Sequence, residues 1–217
     1  APAMPGTPDL EATSDTGASD TDDITADDTP TISGTAEANA TIKIFEGSTL
    51  LGTTTANDSG AWSFTLATLA DGVHNLTATA TDAAGNTSPV SSPLAITIDT
   101  TAPTAPAITS PANGSSTSDE TPDVIGTSEA NASIAVLEGT TALGASAANS
   151  SGDWTMTSTL LFEGSHTILA HATDLAGNQS PNSLAVTFTV QTSSDNEAPE
   201  ITSVSTNATF EEKPLPG

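Results

Sequence analysis

The chain has 217 residues with 27 acidic against 2 basic side chains and a formal net charge of −25, which excludes nucleic acid and anionic lipid surfaces as partners because both need clustered Lys and Arg. Apolar residues are mostly Val, Ile, Leu and Ala in short runs broken by Thr, Ser, Gly and Asn, a composition of strands rather than helices. With no cysteine there are no disulfides or thiolate metal sites, and no apolar run approaches the roughly 18 residues that a bilayer helix needs.

From the N-terminus, apolar/polar alternation of period two, punctuated by Gly, Asn and Asp, predicts strands at Pro8–Thr13, Thr31–Thr35, Ala40–Glu46, Thr49–Ala56, Ala61–Leu66, Gly72–Asp82 and Pro93–Ile98. Seven short strands of this kind suit a Greek-key sandwich of about 100 residues. After Asp99 the pattern starts again. Residues 29–89 and 121–181 match at a constant offset of 92: Gly34-Thr35 falls on Gly126-Thr127, Trp62 on Trp154, His74 on His166, and Asp82 with Gly85-Asn86 on Asp174 with Gly177-Asn178. The second copy is expected to bury Ile125, Ile134, Val136, Trp154, Ile168, Leu169 and Val186.

The fold class is therefore all-β: two tandem immunoglobulin-like Greek-key β-sandwiches in an extended arrangement. The domains are expected at residues 1–99 and 104–191, joined by a linker at 100–103. Residues 192–217 hold a second linker and the start of a truncated third repeat; Ile201 to Gly217 would supply only its first strand. No signal peptide opens the chain, so it reads as an interior piece of a longer protein.

Four stretches carry a resemblance: Thr29-Pro30-Thr31-Ile32-Ser33-Gly34-Thr35-Ala36-Glu37, Gly60-Ala61-Trp62-Ser63-Phe64, Thr79 to Ser88, and Asp99-Thr100-Thr101-Ala102-Pro103. In these the chain resembles the bacterial Ig-like tandem repeats of giant type-I-secreted (RTX) adhesins. The resemblance implies a bacterial cell-surface or secreted location, an extender role, and Ca²⁺ bound at domain junctions to stiffen a rod.

Three acidic features bear on that ion. The segment from Asp15 to Asp28 holds six aspartates in fourteen residues, Asp15, Asp20, Asp22 and Asp23 among them. A Gly-containing loop rich in carboxylates, carbonyls and hydroxyls can supply the six to eight oxygens that Ca²⁺ prefers, although an acidic loop can equally stand solvated. The turns Asp82 to Asn86 and Asp174 to Asn178 are tight Asx-type turns by themselves, and become cation sites only where further oxygens converge. Alternating strand direction puts Glu37, Asp58 and Asp82 at the pole bearing the N-terminus, and Asp15–Asp28, Glu46, Asp71 and Asp99 at the opposite pole. The second domain would then turn Glu129, Asp153 and Asp174 toward Asp71 and Asp99. Like charges so placed repel, and a divalent ion reverses the sign of the interaction.

The remaining signals point to structure. His74, His166 and His171 lack the companions of a zinc site, Trp62 and Trp154 read as core residues, and no nucleophile elbow, phosphate loop or dinucleotide fingerprint occurs. The expected function is a monomeric, non-enzymatic spacer of a large surface adhesin. It would be stiffened by Ca²⁺, contact neighbouring Ig-like repeats of its own chain, and project a distal binding domain. The alternatives are an Ig-like module that itself binds a glycan or host protein, and an accessory module of a secreted glycosidase.

Overall fold

The computed structural model describes residues 1–191, so the expected third repeat lies outside the described residues. Those residues form two all-β domains in tandem with no helix. The first contains β1 (Asp9–Leu10), β2 (Ile24–Thr25), β3 (Thr31–Thr35), β4 (Thr41–Glu46), β5 (Thr49–Thr55), β6 (Ala61–Thr65), β7 (Gly72–Thr81) and β8 (Leu94–Ile98). The second contains β9 (Ala107–Ser110), β10 (Ser116–Thr117), β11 (Asp123–Thr127), β12 (Ser133–Glu138), β13 (Thr141–Ala147), β14 (Asp153–Thr157), β15 (Gly164–Thr173) and β16 (Val186–Val190).

In each domain a three-stranded sheet packs on a five-stranded one, with orders β1-β3-β6 and β2-β8-β7-β4-β5 in the first, and β14-β11-β9 and β10-β16-β15-β12-β13 in the second. From β3 onward the chain changes sheet between β3 and β4, between β5 and β6, and again between β6 and β7, which is Greek-key connectivity. Each domain has one strand more than expected. The expected strand Pro8–Thr13 is reduced to β1, which pairs antiparallel with β3, and the extra strand β2, inside the segment expected to be an acidic loop, adds parallel to β8 on the other sheet. In the second domain β9 and β10 repeat this arrangement.

Alternation decides what is buried. In β4, Ile42 and Ile44 are inaccessible to solvent while Thr41 and Lys43 face out, and Ile134 and Val136 of β12 repeat this. Each such aliphatic side chain contributes about 1.5–3 kcal/mol on burial. Each domain has its own closed core: Ile32, Trp62, Leu76 and Ile96 with their neighbours in the first, and Val124, Trp154, Ile168 and Phe188 in the second. Each indole ring comes close against the paired position of the neighbouring strand, and that needs glycine opposite. A Cβ on Gly34 would stand 2.6 Å from Trp62 Cζ2, and one on Gly126 2.3 Å from Trp154 Cζ2.

Two of the expected core positions are corrected. Ile125 is 42% exposed, and Val124 beside it is the buried residue of β11. Leu169 is only half-buried, because Ile168, Ala170 and Ala172 form the inward row of β15.

The long strands β7 and β15 are paired on one side by β8 and β16 over only their first halves. Farther on, serine hydroxyls replace the missing strand. Ala78 and Ala80 donate their N–H groups to Ser91 Oγ and Ser88 Oγ, and Ala170 and Ala172 to Ser183 Oγ and Ser180 Oγ. The buried edge is thus satisfied without a further strand.

Candidate functional site

The end of the first domain that faces the second is built from the connection 11–23, the loop before β7, and the exit of β8. The linker is fixed from the first-domain side. The Asp71 carboxylate accepts the Thr100 N–H at 3.1 Å and the Thr100 and Thr101 hydroxyls at 2.8 and 2.9 Å, while Asp99 Oδ1 accepts the Thr101 N–H at 3.0 Å. The hydroxyl donors from Thr100 and Thr101 are the main cause holding the exposed Asp71 carboxyl below its usual pKa.

Across the joint the second domain presents its Asp174 to Asn178 turn. Asn178 Nδ2 donates to the Asp99 carbonyl at 2.7 Å, the Thr16 hydroxyl donates to the Ala176 carbonyl at 2.8 Å, and the Ala18 N–H donates to the Leu175 carbonyl at 3.2 Å. Gly17, with φ +108°, lies between these contacts, and a Cβ there would come within 2.1 Å of the Leu175 carbonyl oxygen. The seat therefore takes backbone against backbone. Its depth is visible by comparison with the repeat: Ala176 is 1% exposed, whereas the equivalent Ala84 of the first domain is exposed. Sequence reasoning passed over Thr16, Gly17 and Ala18, whose one signal is a glycine and two small residues among aspartates.

Apart from Asp71 and Glu129, the expected site residues fall into three groups. Asp99 and Asp174 meet through Asn178, which also donates to Asp174 Oδ2 at 3.0 Å while its N–H bonds Oδ1 at 2.8 Å. Glu37 and Asp82 lie at the far pole of the first domain. Glu37 is exposed, and Asp82 is engaged by Asn86 through side chain and N–H at 2.8 Å each, hydrogen bonds that hold its pKa down. Glu129 is exposed on the second domain.

Asp15, Asp20, Asp22 and Asp23 form the third group, in the connection 11–23. A cavity of about 260 Å³ is lined by Asp9, Asp15, Asp20, Thr21 and Asp23. Asp15 is 5% exposed; its Oδ2 accepts the Asp23 N–H at 3.3 Å, and its Oδ1 is buried with no hydrogen-bond partner. Burial first, then the Asp22 and Asp20 charges, push the Asp15 carboxyl pKa up against the lowering hydrogen bond from Asp23. Burial and the charges of Asp15, Asp9 and Asp22 raise that of Asp23, whose backbone is left-handed at φ +60°. Among the described residues no group of three or more Asp, Glu or His side chains is arranged to hold a metal ion by itself. Ca²⁺ also takes carbonyl, hydroxyl and water oxygens, and the orphaned Asp15 oxygen is the donor that fits it.

His74 and His166 make matching clasps in the two domains. His74 Nδ1 lies 2.8 Å from Glu46 Oε1 and Nε2 2.8 Å from the Ala70 carbonyl; His166 Nδ1 lies 3.1 Å from Glu138 Oε1 and Nε2 2.7 Å from the Phe162 carbonyl. They hold the loop before β7 or β15 against a hairpin and are structural.

A family profile described as bacterial Ig-like domain matches residues 2–100 and again 109–192. No curated protein matches the chain. Among solved structures, the fibronectin(III)-like modules of Clostridium thermocellum CbhA align at 18% identity and TM-score 0.50 over 77% of this chain and 87% of theirs. A biofilm-associated protein BSP domain aligns at 20% identity and TM-score 0.35 over 87% of this chain and 30% of its own. The D0-D1 domain of Intimin aligns at 16% and 0.27 over 77% and 94%. The likeness to the CbhA modules is one of fold; the other two are looser.

Proposed function

The chain belongs to the bacterial Ig-like domain family, and from that premise we propose that it is a non-catalytic spacer of a bacterial surface or secreted protein, stiffened at its domain joint by Ca²⁺. The observation that carries the reading is the joint itself. Two closed cores are connected by a short linker that Asp71 and Asp99 clamp, and the second domain sits on the first through three direct hydrogen bonds. On this reading the contact passes orientation from one domain to the next, as a projecting rod requires, and because a small polar contact alone leaves domain motion as the default, the ion supplies the remaining stiffness. The surplus of 25 negative charges supports the cation. It acts against compaction, and a divalent ion at the joint offsets that repulsion locally.

The test is small-angle scattering of the two-domain chain in Ca²⁺ and in EDTA, with calorimetry for binding. In Ca²⁺ the profile should fit one fixed arrangement, and in EDTA it should broaden to an ensemble of bent forms. A freely jointed pair in Ca²⁺ would exclude the spacer reading. A fixed pair that binds no Ca²⁺ would leave the spacer without its ion.

A further inference from the structure

The acidic connection and the contact with the second domain are parts of one loop. Asp15 carries the buried oxygen without a partner, and the next residue, Thr16, donates to Ala176 of the second domain while accepting the Ala26 N–H at 2.9 Å. Ala18, two residues on, takes the Leu175 carbonyl. The carboxylates closest to the linker are already engaged, Asp71 by Thr100 and Thr101 and Asp174 by Asn178.

We propose that Ca²⁺ binds inside the first domain, at the Asp15–Asp23 loop with Asp15 and Asp23 as ligands, and controls the joint indirectly by fixing the ledge Thr16–Ala18 on which the second domain rests. This rests on the spacer reading and says where its ion sits and how it acts. Without a cation the carboxylates of Asp9, Asp15, Asp20 and Asp23 repel across one small cavity, with the Asp22 charge beside it, and spread the loop. Spreading moves Thr16 and Ala18 away from the Ala176 and Leu175 carbonyls. The seat tolerates little of this, because Gly17 has no room even for a methyl group. With the ion in place the loop closes, and the ledge is held in register. The second domain has no equivalent: its β9–β10 connection is residues 111–115 and contains no Asp or Glu.

The experiment uses the whole chain. It has no native cysteine, so Thr53→Cys and Ala145→Cys, exposed and equivalent in the two domains, accept spin labels for distance measurement. Calcium chloride alone is the ligand, followed by calorimetry. The unmodified loop should bind Ca²⁺ and narrow the interdomain distance distribution. Asp15→Asn, or Asp23→Asn should the first variant melt at once, should weaken Ca²⁺ binding by at least about tenfold and abolish the narrowing. Ala176→Gln wedges the seat from the second domain while leaving the loop untouched, and the exposure of Ala84 shows that this turn position tolerates a free side chain. It should lose the narrowing and still bind Ca²⁺, more tightly than Asp15→Asn does, with Kd weakened only by the factor by which the ion favours docking, because that coupling is reciprocal. No binding by the unmodified loop would overturn this inference and the cation of the spacer reading together. Binding that survives both Asp variants would place the ion elsewhere, overturning this inference alone. Narrowing that persists in Ala176→Gln would overturn the ledge as its route.

Discussion

At the scale of single residues, the clearest chemistry outside the joint is the His166 clasp. Both ring nitrogens face acceptors, Glu138 Oε1 and the Phe162 carbonyl, so the doubly protonated ring is the form that satisfies both. Burial works to lower the pKa, but the Phe162 carbonyl and Glu138 outweigh it and the imidazole ends above its ordinary 6.5. A raised folded pKa stabilises fully below the unfolded value and loses that contribution as pH rises through the folded one. The second domain should therefore melt at lower temperature at pH 8 than at pH 6, and His166→Gln should flatten that dependence. By proton NMR the His166 ring should titrate with a midpoint above 6.5, and Glu138→Gln should bring the midpoint down. The sequence showed His74 and His166 to be equivalent and without zinc partners. It did not show the clasp, because Glu46 and Glu138 lie 28 residues away from them and meet them only when the strands pair.

At the scale of elements, the 92-residue repeat made the strands legible and also held the answer where single-strand reading failed. Val124-Ile125 is an apolar pair that alternation cannot resolve, but its repeat partners are Ile32-Ser33, and the polar Ser33 marks the outward position. Leu169 likewise falls on Thr77. The serine edge was not legible, since nothing in Ser88-Pro89 or Ser180-Pro181 marks a hydroxyl as standing in for a strand until the short β8 and β16 leave N–H groups beside them. Ser180→Ala would strand the buried Ala172 N–H and should cost about 1–3 kcal/mol in urea unfolding of the second domain. Ser88→Ala should do the same to the first. Gly126→Ala places a methyl 2.1 Å from the Ala107 carbonyl and 2.3 Å from Trp154, and should destabilise by about 1–3 kcal/mol, with a shift in Trp154 fluorescence reporting the displaced indole.

At the scale of the whole molecule, the two Asp-to-Asn turns share the hydrogen bonds between Asp and Asn and differ in what they touch. Asn178→Ala removes the bond to the Asp99 carbonyl as well as the bond within its own turn, while Asn86→Ala removes the internal bond alone. Both should leave the cores folded. Only the first should speed proteolysis of the linker 100–104, by up to about tenfold if one hydrogen bond contributes its usual 0.5–1.5 kcal/mol. Charge counting and strand direction led to this pole from the sequence, but not to the ledge, because every acceptor in its contacts is a backbone carbonyl, which leaves no residue-type signature. The β1–β2 connection spans residues 11–23 and reaches the next domain, while the β9–β10 connection spans only 111–115. On the spacer reading proposed above, that difference would work in a filament of such modules like the spacing of vertebral joints: a long connection would lock the next module, a short one would supply no such shelf, and their order along the chain would prescribe where the filament carries bending load and where it articulates.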